Sequence, residues 1–570
     1  MSNIDWCILL ITLIGVAVYG IYKSRGTKNI EGYLLADRKL PWYHVGFSVI
    51  ATQASAITFL SAPGQAFSDG MRFVQFYFGL PIAMVVLCIT FVPAFHQLNV
   101  YTAYEYLEKR FDLKTRSLTA FLFLLQRGLS TGITIYAPAI VLSTILKIDI
   151  TYTTVLMGSI VILYTISGGA KAVSFTQLFQ MTVIFSGLIV AAIMVVYQLP
   201  YDVSFSDSLH IAGSLGKMNL IDTTFDWNNK YNIWSGIIGG FFLQLSYFGT
   251  DQSQVGRYLT GSSVTQSRLG LIMNGLIKIP MQFFILLIGI LVFTFYQFHE
   301  PPIFFNPFES NKIEQSEYNS DYQKIKNDYS TLHQQKLSSL NAFVEALHSD
   351  DQSKIKSAKL QLNESEQKLQ KCRKSATDLM LKHNPKADVN DSNYVFLTFV
   401  MNFLPVGMIG LIIAIIFLAS MGSTASGLNS LAGTFVVDFY KRIIKKDNQV
   451  INYLKASRWA TFVWGVFCIV VALYASRLGN LIEAVNILGS LFYGTILGIF
   501  LVAFYVKYVH SQAVFIAACI AEVFIIMAWQ LDLMAFLWLN VLGCLLVVLL
   551  SLLIQFILQK NKSSNEKNIA

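Results

Sequence analysis

The chain has 570 residues, of which 54% are hydrophobic and only 13% charged, and its formal net charge is +9. Soluble domains carry about twice that charged share, so disordered, collagen-like and ordinary cytosolic classes are excluded. Thirteen stretches of 17 or more mostly apolar residues can be marked; each can cross a ~30 Å hydrocarbon layer, and lipid makes such segments helical because their backbone groups must pair internally.

In chain order the spans are read at 6–22, 42–68, 73–97, 118–145, 151–167, 175–199, 232–250, 270–297, 406–438, 459–475, 481–505, 513–531 and 534–558. Basic residues orient them. With the N-terminus outside, the inside connections hold 22 Lys and Arg, including Lys23, Arg25, Lys28, Lys171, Lys445, Lys446, Lys560, Lys562 and Lys567. The short outside connections hold 5: Arg72, Lys147, Lys217, Lys230 and Arg477. This asymmetry gives an N-out, C-in topology. It also attracts an anionic inner leaflet, so the lipid bilayer accounts for the positive charge and nucleic acid is not needed. The first span has neither the basic flank nor the cleavage pattern of a signal peptide. The six cysteines show neither a disulfide framework nor metal-ligand spacing.

Two spans carry polar interruptions. The second begins with Thr52, Gln53, Ala54 and Ser55, followed by Thr58, Ser61 and Pro63. The seventh carries Gln244, Ser246 and Tyr247, then Gly249 to Gln252 (GTDQ). Interrupted helices in matching positions of two halves point to a transporter site at mid-membrane, where broken backbone offers carbonyls to a cation and N–H groups to an anion. Polar residues of a single span can equally serve interhelical hydrogen bonds. Between the eighth and ninth spans, 299–394 is polar and is read as an external helical hairpin. One stripe is Leu337, Leu340, Val344 and Leu347. The other runs Ile355, Ala358, Leu362, Ser365, Leu369, Cys372, Ala376 and Leu379, with a turn-like cluster at Ser349 to Ser353 between them. The hairpin is either a short antiparallel coiled coil, with room for an unidentified partner, or a solvated spacer.

The span at 406–438 holds ASMGSTASGLNSLAGTF from Ala419 to Phe435. Ala419, Ser423, Ser426 and Ser430 share one helical face, and a hard cation such as Na⁺ takes oxygen ligands of this kind. Tight helix packing is the competing reading. Two cations remain inside spans, Arg127 and Lys278. A mid-helix charge costs ~2.5–3.5 kcal/mol even on the gentlest scale, so each needs a partner or a wet cavity. The acids read within spans are Glu522, a poor partner for either because it falls in the last two spans, and, near an end, Glu483.

Taken together the sequence resembles the sodium/solute symporter family, which includes sodium–glucose, sodium–iodide and sodium–sialic acid symporters. The landmarks are Glu31 to Leu40 (EGYLLADRKL), Ser55 to Thr58, Tyr104 to Arg110 (YEYLEKR), Ile135 to Pro138, Tyr164 to Ala172 (YTISGGAKA), Asp251-Gln252 with Arg257, and Asn429 to Tyr440. They cover 1–298 and 395–505. The resemblance implies an all-α polytopic membrane protein with two inverted five-helix repeats (LeuT-like), one extra N-terminal helix and two extra C-terminal helices. The boundaries then run 1–40 for the first helix and its loop, 41–199 for the first repeat and 200–298 for the start of the second. The insertion follows at 299–394, the rest of the second repeat at 395–505, and two helices with a tail at 506–570.

By the same resemblance, sodium is held by the carbonyls of Ala51, Ala54 and Ala419 and the hydroxyl of Ser423. Gly422 stands where the family usually has a second hydroxyl, and Gln177 where members that bind an additional sodium carry an Asp, so one sodium per cycle is expected. Arg127 matches the arginine that sialic acid symporters use for the solute carboxylate, and Lys278 the lysine that sugar-transporting members use. Gln53, Ser55, Thr58, Gln75, Phe76, Gln244 and Tyr247 complete the expected solute contacts. The function implied is sodium-coupled import of a small polar solute across a bacterial inner membrane by alternating access. A carboxylate such as sialic acid comes first and a neutral sugar second, with a symporter-derived sensor as the remaining alternative. No Walker motif and no acid/base or metal cluster in the spans suggests an enzyme.

Overall fold

A computed structural model describes residues 1–24, 30–349, 351–444, 453–475 and 478–569. Arg25, Lys28, Lys445, Lys446, Arg477 and Asp350 of the hairpin turn lie outside the described residues, as do the side chains of Lys23, Lys171, Lys562 and Lys567. Among the described residues there is no strand, only an isolated bridge between Leu40 and Gly261.

The first helix, α1 (Asn3–Ser24), begins with Asp5 turned inward. Its Oδ1 accepts from the backbone N–H of Gly407 at 2.7 Å and of Gly410 at 3.1 Å. These are unpaired amides at the start of a much later helix, Met408–Thr434, where a carboxylate is favoured by both hydrogen bonding and the helix dipole. Gly407 takes φ +91° there, a conformation that suits glycine.

The second span is not a continuous rod. It is α2 (Trp42–Gln53) and α3 (Ala56–Asp69), separated by Ala54 and Ser55 in non-helical conformations. The third expected span is three short pieces, Gly70–Tyr77, α4 (Leu80–Ile89) and Phe91–Gln97. The fourth is one helix, α5 (Leu113–Leu146). The fifth and sixth, expected as separate spans, form a single helical element, α6 (Ile150–Tyr197). If straight it would be ~72 Å long, more than twice a bilayer core. It is not straight: the Tyr164 hydroxyl and Thr176 Oγ1 lie 2.8 Å apart, yet twelve residues of straight helix separate Cα atoms by ~18 Å. The chain therefore folds back between them, leaving two apolar arms, Ile150–Ile166 and Ala172–Tyr197.

The seventh span ends as α7 (Gly240–Thr250), breaks at Asp251, and resumes as α8 (Gln252–Tyr258). Then come α9 (Val264–Phe298), the insertion helices α10 (Asn319–His348) and α11 (Gln352–His383), and α12 (Ser392–Phe403). The last five are α13 (Met408–Thr434), α14 (Tyr453–Tyr474), α15 (Leu481–Tyr505), α16 (Ser511–Gln530) and α17 (Phe536–Ile569). Among the described residues ten helices are long and apolar enough to cross a membrane. The chain is an all-α polytopic membrane protein, and the other expected passes fall on its short and interrupted helices.

The insertion is an antiparallel helix pair, as its stripes suggest. Leu340, Val344, Ala358, Leu362, Leu369 and Ala376 are buried. Ser339 meets Ser365 at 3.3 Å, and the Cys372 thiol meets the Ile325 carbonyl at 3.5 Å. It is no free-standing spacer, because Leu340, Phe343 and Leu362 join the main apolar core. Helix α12 was not foreseen. It is short, buried, and packs on α3 so closely that a Cβ at Gly64 would stand 1.8 Å from the Ser392 carbonyl oxygen. All six cysteines are free.

Candidate functional site

The two broken helices explain the site. At the end of α2 the amides that would continue the helix turn elsewhere: Ser55 N–H donates to the Gln53 carbonyl at 3.1 Å and Thr58 N–H to the Ser55 carbonyl at 3.0 Å. The carbonyls of Ala51 and Ala54 are thereby left free of those helical bonds, as helix ends leave them. Helix α13 lies against this break, with Thr52 Oγ1 and Ser426 Oγ 3.1 Å apart. Ser423 hydrogen-bonds back to the Ala419 carbonyl at 2.9 Å, while the hydroxyls of Ser420 and Thr424 have no partner. Ala51, Ala54, Ala419 and Ser423 are all buried. Free carbonyls beside a hydroxyl face suit a hard monovalent cation, and among the described residues no cluster of His, Cys, Asp or Glu competes for a metal.

Gln177, on the second arm of α6, clasps the same junction. Its Oε1 accepts from Ser48 Oγ at 2.6 Å. Its Nε2 faces Thr52 Oγ1 at 3.2 Å, the Gly422 carbonyl at 3.3 Å and Ser426 Oγ at 3.0 Å. Gly422 leaves room for a second amide: a Cβ there would stand 2.6 Å from Gln180 Oε1.

Beside the break lies a pocket of about 90 Å³, lined by residues of α2, α3, α5, α7 and α15. Six of the nine expected solute residues line it: Gln53, Ser55, Thr58, Phe76, Arg127 and Tyr247. Three do not. Gln75 is spent on the loop that follows, donating to the Tyr231 carbonyl at 3.1 Å and accepting from Asp222 N–H at 3.1 Å. Gln244 is fully buried on α7 with no partner for either amide atom. Lys278 has no hydrogen-bond partner and lies 5.7 Å from the ring centre of Tyr77, itself a lining residue.

Sequence reasoning missed part of the wall: Gln126 and Ser130 on α5, and Asn486, Gly489 and Tyr493 on α15. It also missed the partner of Arg127, which is neither Glu522 nor Glu483. Asp251, at the break between α7 and α8, forms an ion pair with Arg127 NH2. Tyr493 completes a trio, donating to Asp251 Oδ2 at 2.7 Å and accepting from Arg127 at 3.1 Å. The other carboxylate oxygen caps α8, accepting from Ser253 N–H at 2.8 Å. The signal lies in the GTDQ interruption, which puts Asp251 one residue beyond the span read at 232–250 and so outside a count of acids within spans. Arg127 also stacks over Tyr247, 5.4 Å from its ring centre, and its Nε has no partner.

Three of the sequence landmarks, Tyr104 to Arg110, Asp251-Gln252 and Asn429 to Tyr440, are linked through neighbouring residues. Tyr104 donates to the Thr250 carbonyl at 2.9 Å, and Gln252 bonds the backbone of Tyr101 and Ala103 at 2.8 and 3.0 Å. Arg116 joins Glu108 to Asp438, whose Oδ1 also accepts from Thr102 at 2.9 Å. They tie the break at Asp251 to the segment before α5, and the helix that follows α13 to α5 itself.

A helix broken at the centre of a membrane bundle, with free carbonyls on one side and a polar pocket on the other, is the build of a secondary transporter. A profile of the sodium:solute symporter family matches residues 33–322 and 379–521. The chain belongs to that family, whose coupling ion is sodium, and it is a transporter rather than an enzyme. The human sodium/iodide cotransporter is 31% identical over 300 residues, which cover 52% of this chain and 46% of that protein. The sodium/sialic acid symporter NanT of Aliivibrio fischeri is 24% identical over 576 residues, covering 99% of this chain and 95% of the relative. The chain thus spans less than half of the first relative and nearly all of the second. A solved structure of a Na⁺-coupled sialic acid symporter in a substrate-bound outward-open state shares the fold, with a TM-score of 0.74 at 22% identity over 98% of each chain.

Proposed function

We propose that the chain imports a small carboxylate-bearing polar solute, a sialic acid or another sugar acid, with sodium, by alternating access. Arg127 carries this reading: a largely buried guanidinium is the one charged group in the lining of a pocket whose other walls are amides, hydroxyls, aromatic rings and a few aliphatic side chains. With one N–H held by Asp251 and Nε unpartnered, it keeps donors to offer a carboxylate, the anion a guanidinium binds best as a fork. Ser55, Thr58, Gln53 and Asn486 would take the solute's hydroxyls, and Tyr247 and Phe76 would pack on its ring. Among relatives, NanT is named for an acid and the cotransporter for an anion. The neutral-sugar reading is weaker because Lys278 is not a lining residue.

Sodium would sit on the Ala51, Ala54 and Ala419 carbonyls and Ser423. One ion per cycle is supported by Gln177, whose neutral amide nitrogen already faces three of the oxygens a further cation would use. One sodium carried with one monoanion moves no net charge, so the inward sodium concentration gradient, about 1.4 kcal/mol per tenfold ratio, is what concentrates solute without ATP. The repeats would be 41–199 and 200–298 with 395–505, in a bacterial inner membrane with the N-terminus and the 299–394 insertion outside. The test is uptake of labelled N-acetylneuraminate into proteoliposomes under an inward sodium gradient. Uptake that needs sodium and is lost in Arg127→Ala is expected; sodium-driven uptake unchanged in that variant would sink the carboxylate role.

A further inference from the structure

The insertion does more than cover the bundle. Between its helices and the ends of α3 and α9 lies a second cavity of about 450 Å³, several times the volume of the central pocket. This is within the range of small-molecule sites. Its wall carries Lys217, Lys336 and Arg373 against two carboxylates, Glu366 and Asp391. Both carboxylates are taken: Lys336 pairs with Glu366 at 2.5 Å and Arg373 with Asp391 at 2.5 Å. Lys217 is the surplus cation. It donates to the Ser68 carbonyl and lies 5.1 Å from the ring centre of Phe293, and among the described residues no carboxylate stands within ion-pair distance of it. Burial pushes the Lys217 ammonium below its usual value, opposed by the charges of Glu366 and Asp69, so an arriving anion would restore it.

The neutral wall is unsatisfied in a way that points to a ligand. His333 is 2% exposed, lies beside the Tyr296 backbone, and makes no well-formed hydrogen bond through either ring nitrogen. The Tyr296 hydroxyl and Gln297 Oε1, both buried in the same wall, are also unpartnered. Buried polar groups ordinarily find partners, because leaving them unpaired forfeits the water they gave up. A cavity whose lining carries three cations against two carboxylates, with spare donors and acceptors and an aromatic floor, fits an anionic polyhydroxylated molecule.

We propose that this cavity is a second binding site, for one small organic monoanion of the sugar-acid class, built jointly by the insertion and the outer ends of α3 and α9. The choice of ligand rests on the carboxylate reading of the central site, but the cavity itself uses none of that site's residues. Because α3 also carries Ser55 and Thr58, a ligand here would bear on the helix that shapes the central pocket.

The experiment is equilibrium binding of labelled N-acetylneuraminate to the purified full-length chain, with mannitol as neutral competitor and gluconate as anionic competitor. Wild type should bind two equivalents and Arg127→Ala one, displaced by gluconate but not by mannitol. Adding Lys217→Gln, which keeps a donor for the Ser68 carbonyl, should weaken that remaining site about tenfold or more; Lys217→Arg should not. His333→Phe, which fills the cavity, should also abolish it. No saturable binding to Arg127→Ala at millimolar acid, or binding indifferent to Lys217→Gln and His333→Phe, overturns the proposal. Uptake by wild-type proteoliposomes separates the two readings. Uptake without residual binding removes only the second site, and residual binding without uptake removes only the transport reading.

Discussion

The Arg127–Asp251–Tyr493 trio makes a quantitative claim. Asp251 has a fully buried side chain and supplies the carboxylate that neutralises Arg127. Asp251→Asn keeps the shape, and Asn caps helices as well as Asp does, so the Ser253 contact survives while the oxygen that accepts from Arg127 and Tyr493 becomes an amide donor and the charge is removed. Removing one partner of a buried pair costs about 3–5 kcal/mol, because the remaining charge is stranded in low dielectric. The tyrosine hydroxyl can still accept from Arg127, which places the expectation near the lower end. Thermal unfolding of purified protein in sodium is the assay. Asp251→Asn should be destabilised by about 3 kcal/mol without solute. A saturating acid solute should then stabilise it more than it stabilises wild type, because the incoming carboxylate provides the missing anion. The double variant Arg127→Ala/Asp251→Asn should recover much of the loss, a coupling of at least about 1.5 kcal/mol in a double-mutant cycle, and lose the response to acid. A single variant within about 1 kcal/mol of wild type, with no coupling, would refute the idea that these charges depend on each other.

Three further outcomes are expected. Gln177→Asp replaces the amide nitrogen that faces Thr52, Gly422 and Ser426 with carboxylate oxygen, so sodium activation of uptake should become cooperative, with a Hill coefficient rising from about one toward two; unchanged activation in a transport-competent variant would contradict the role given to that amide. Gly64→Ala sets a methyl 1.8 Å from the Ser392 carbonyl, so α3 and α12 must part, at about 1–3 kcal/mol or more, seen as a lower melting temperature. In the insertion, burial raises the Asp388 carboxyl from 3.8 to about 6. The folded chain therefore holds this proton more tightly than the unfolded chain. The stability it contributes is complete below the unfolded value and is lost as pH rises through about 6. Asp388→Asn should stabilise the protein at pH ~7.5 by about 1–2 kcal/mol, allowing for partial exposure, and do little at pH ~4. Equal effects at both pH values would contradict the burial argument.

What the sequence disclosed follows from what forces a pattern. Lipid makes each span declare itself by length, and the break at Ala54 was legible because Thr52 to Ser55 put polar residues where a rod would show apolar ones. The two insertion helices were legible by the same logic in water, from stripes that needed to face each other. Where a span is short or bent the signal fades. Helix α12 is buried by protein rather than lipid, so no length rule applies to it, and the turn within α6 is helical enough to join its arms. The site divides likewise. Residues on broken helices could be named because interruption marks them, but Asn486 and Tyr493 lie on the unbroken α15, where a wall residue looks like any other core position. Asp251 shows the limit most clearly. A local reading asks which acids lie within a span, whereas the partner of Arg127 comes from the gap between two helices 124 residues away. Such a gap is the one place in a membrane core where an acid costs little to install, because the helix it caps and the cation it faces both satisfy it. A charge inside a span is therefore best paired by searching the breaks in other spans first, and in this chain that search leads from Arg127 to GTDQ.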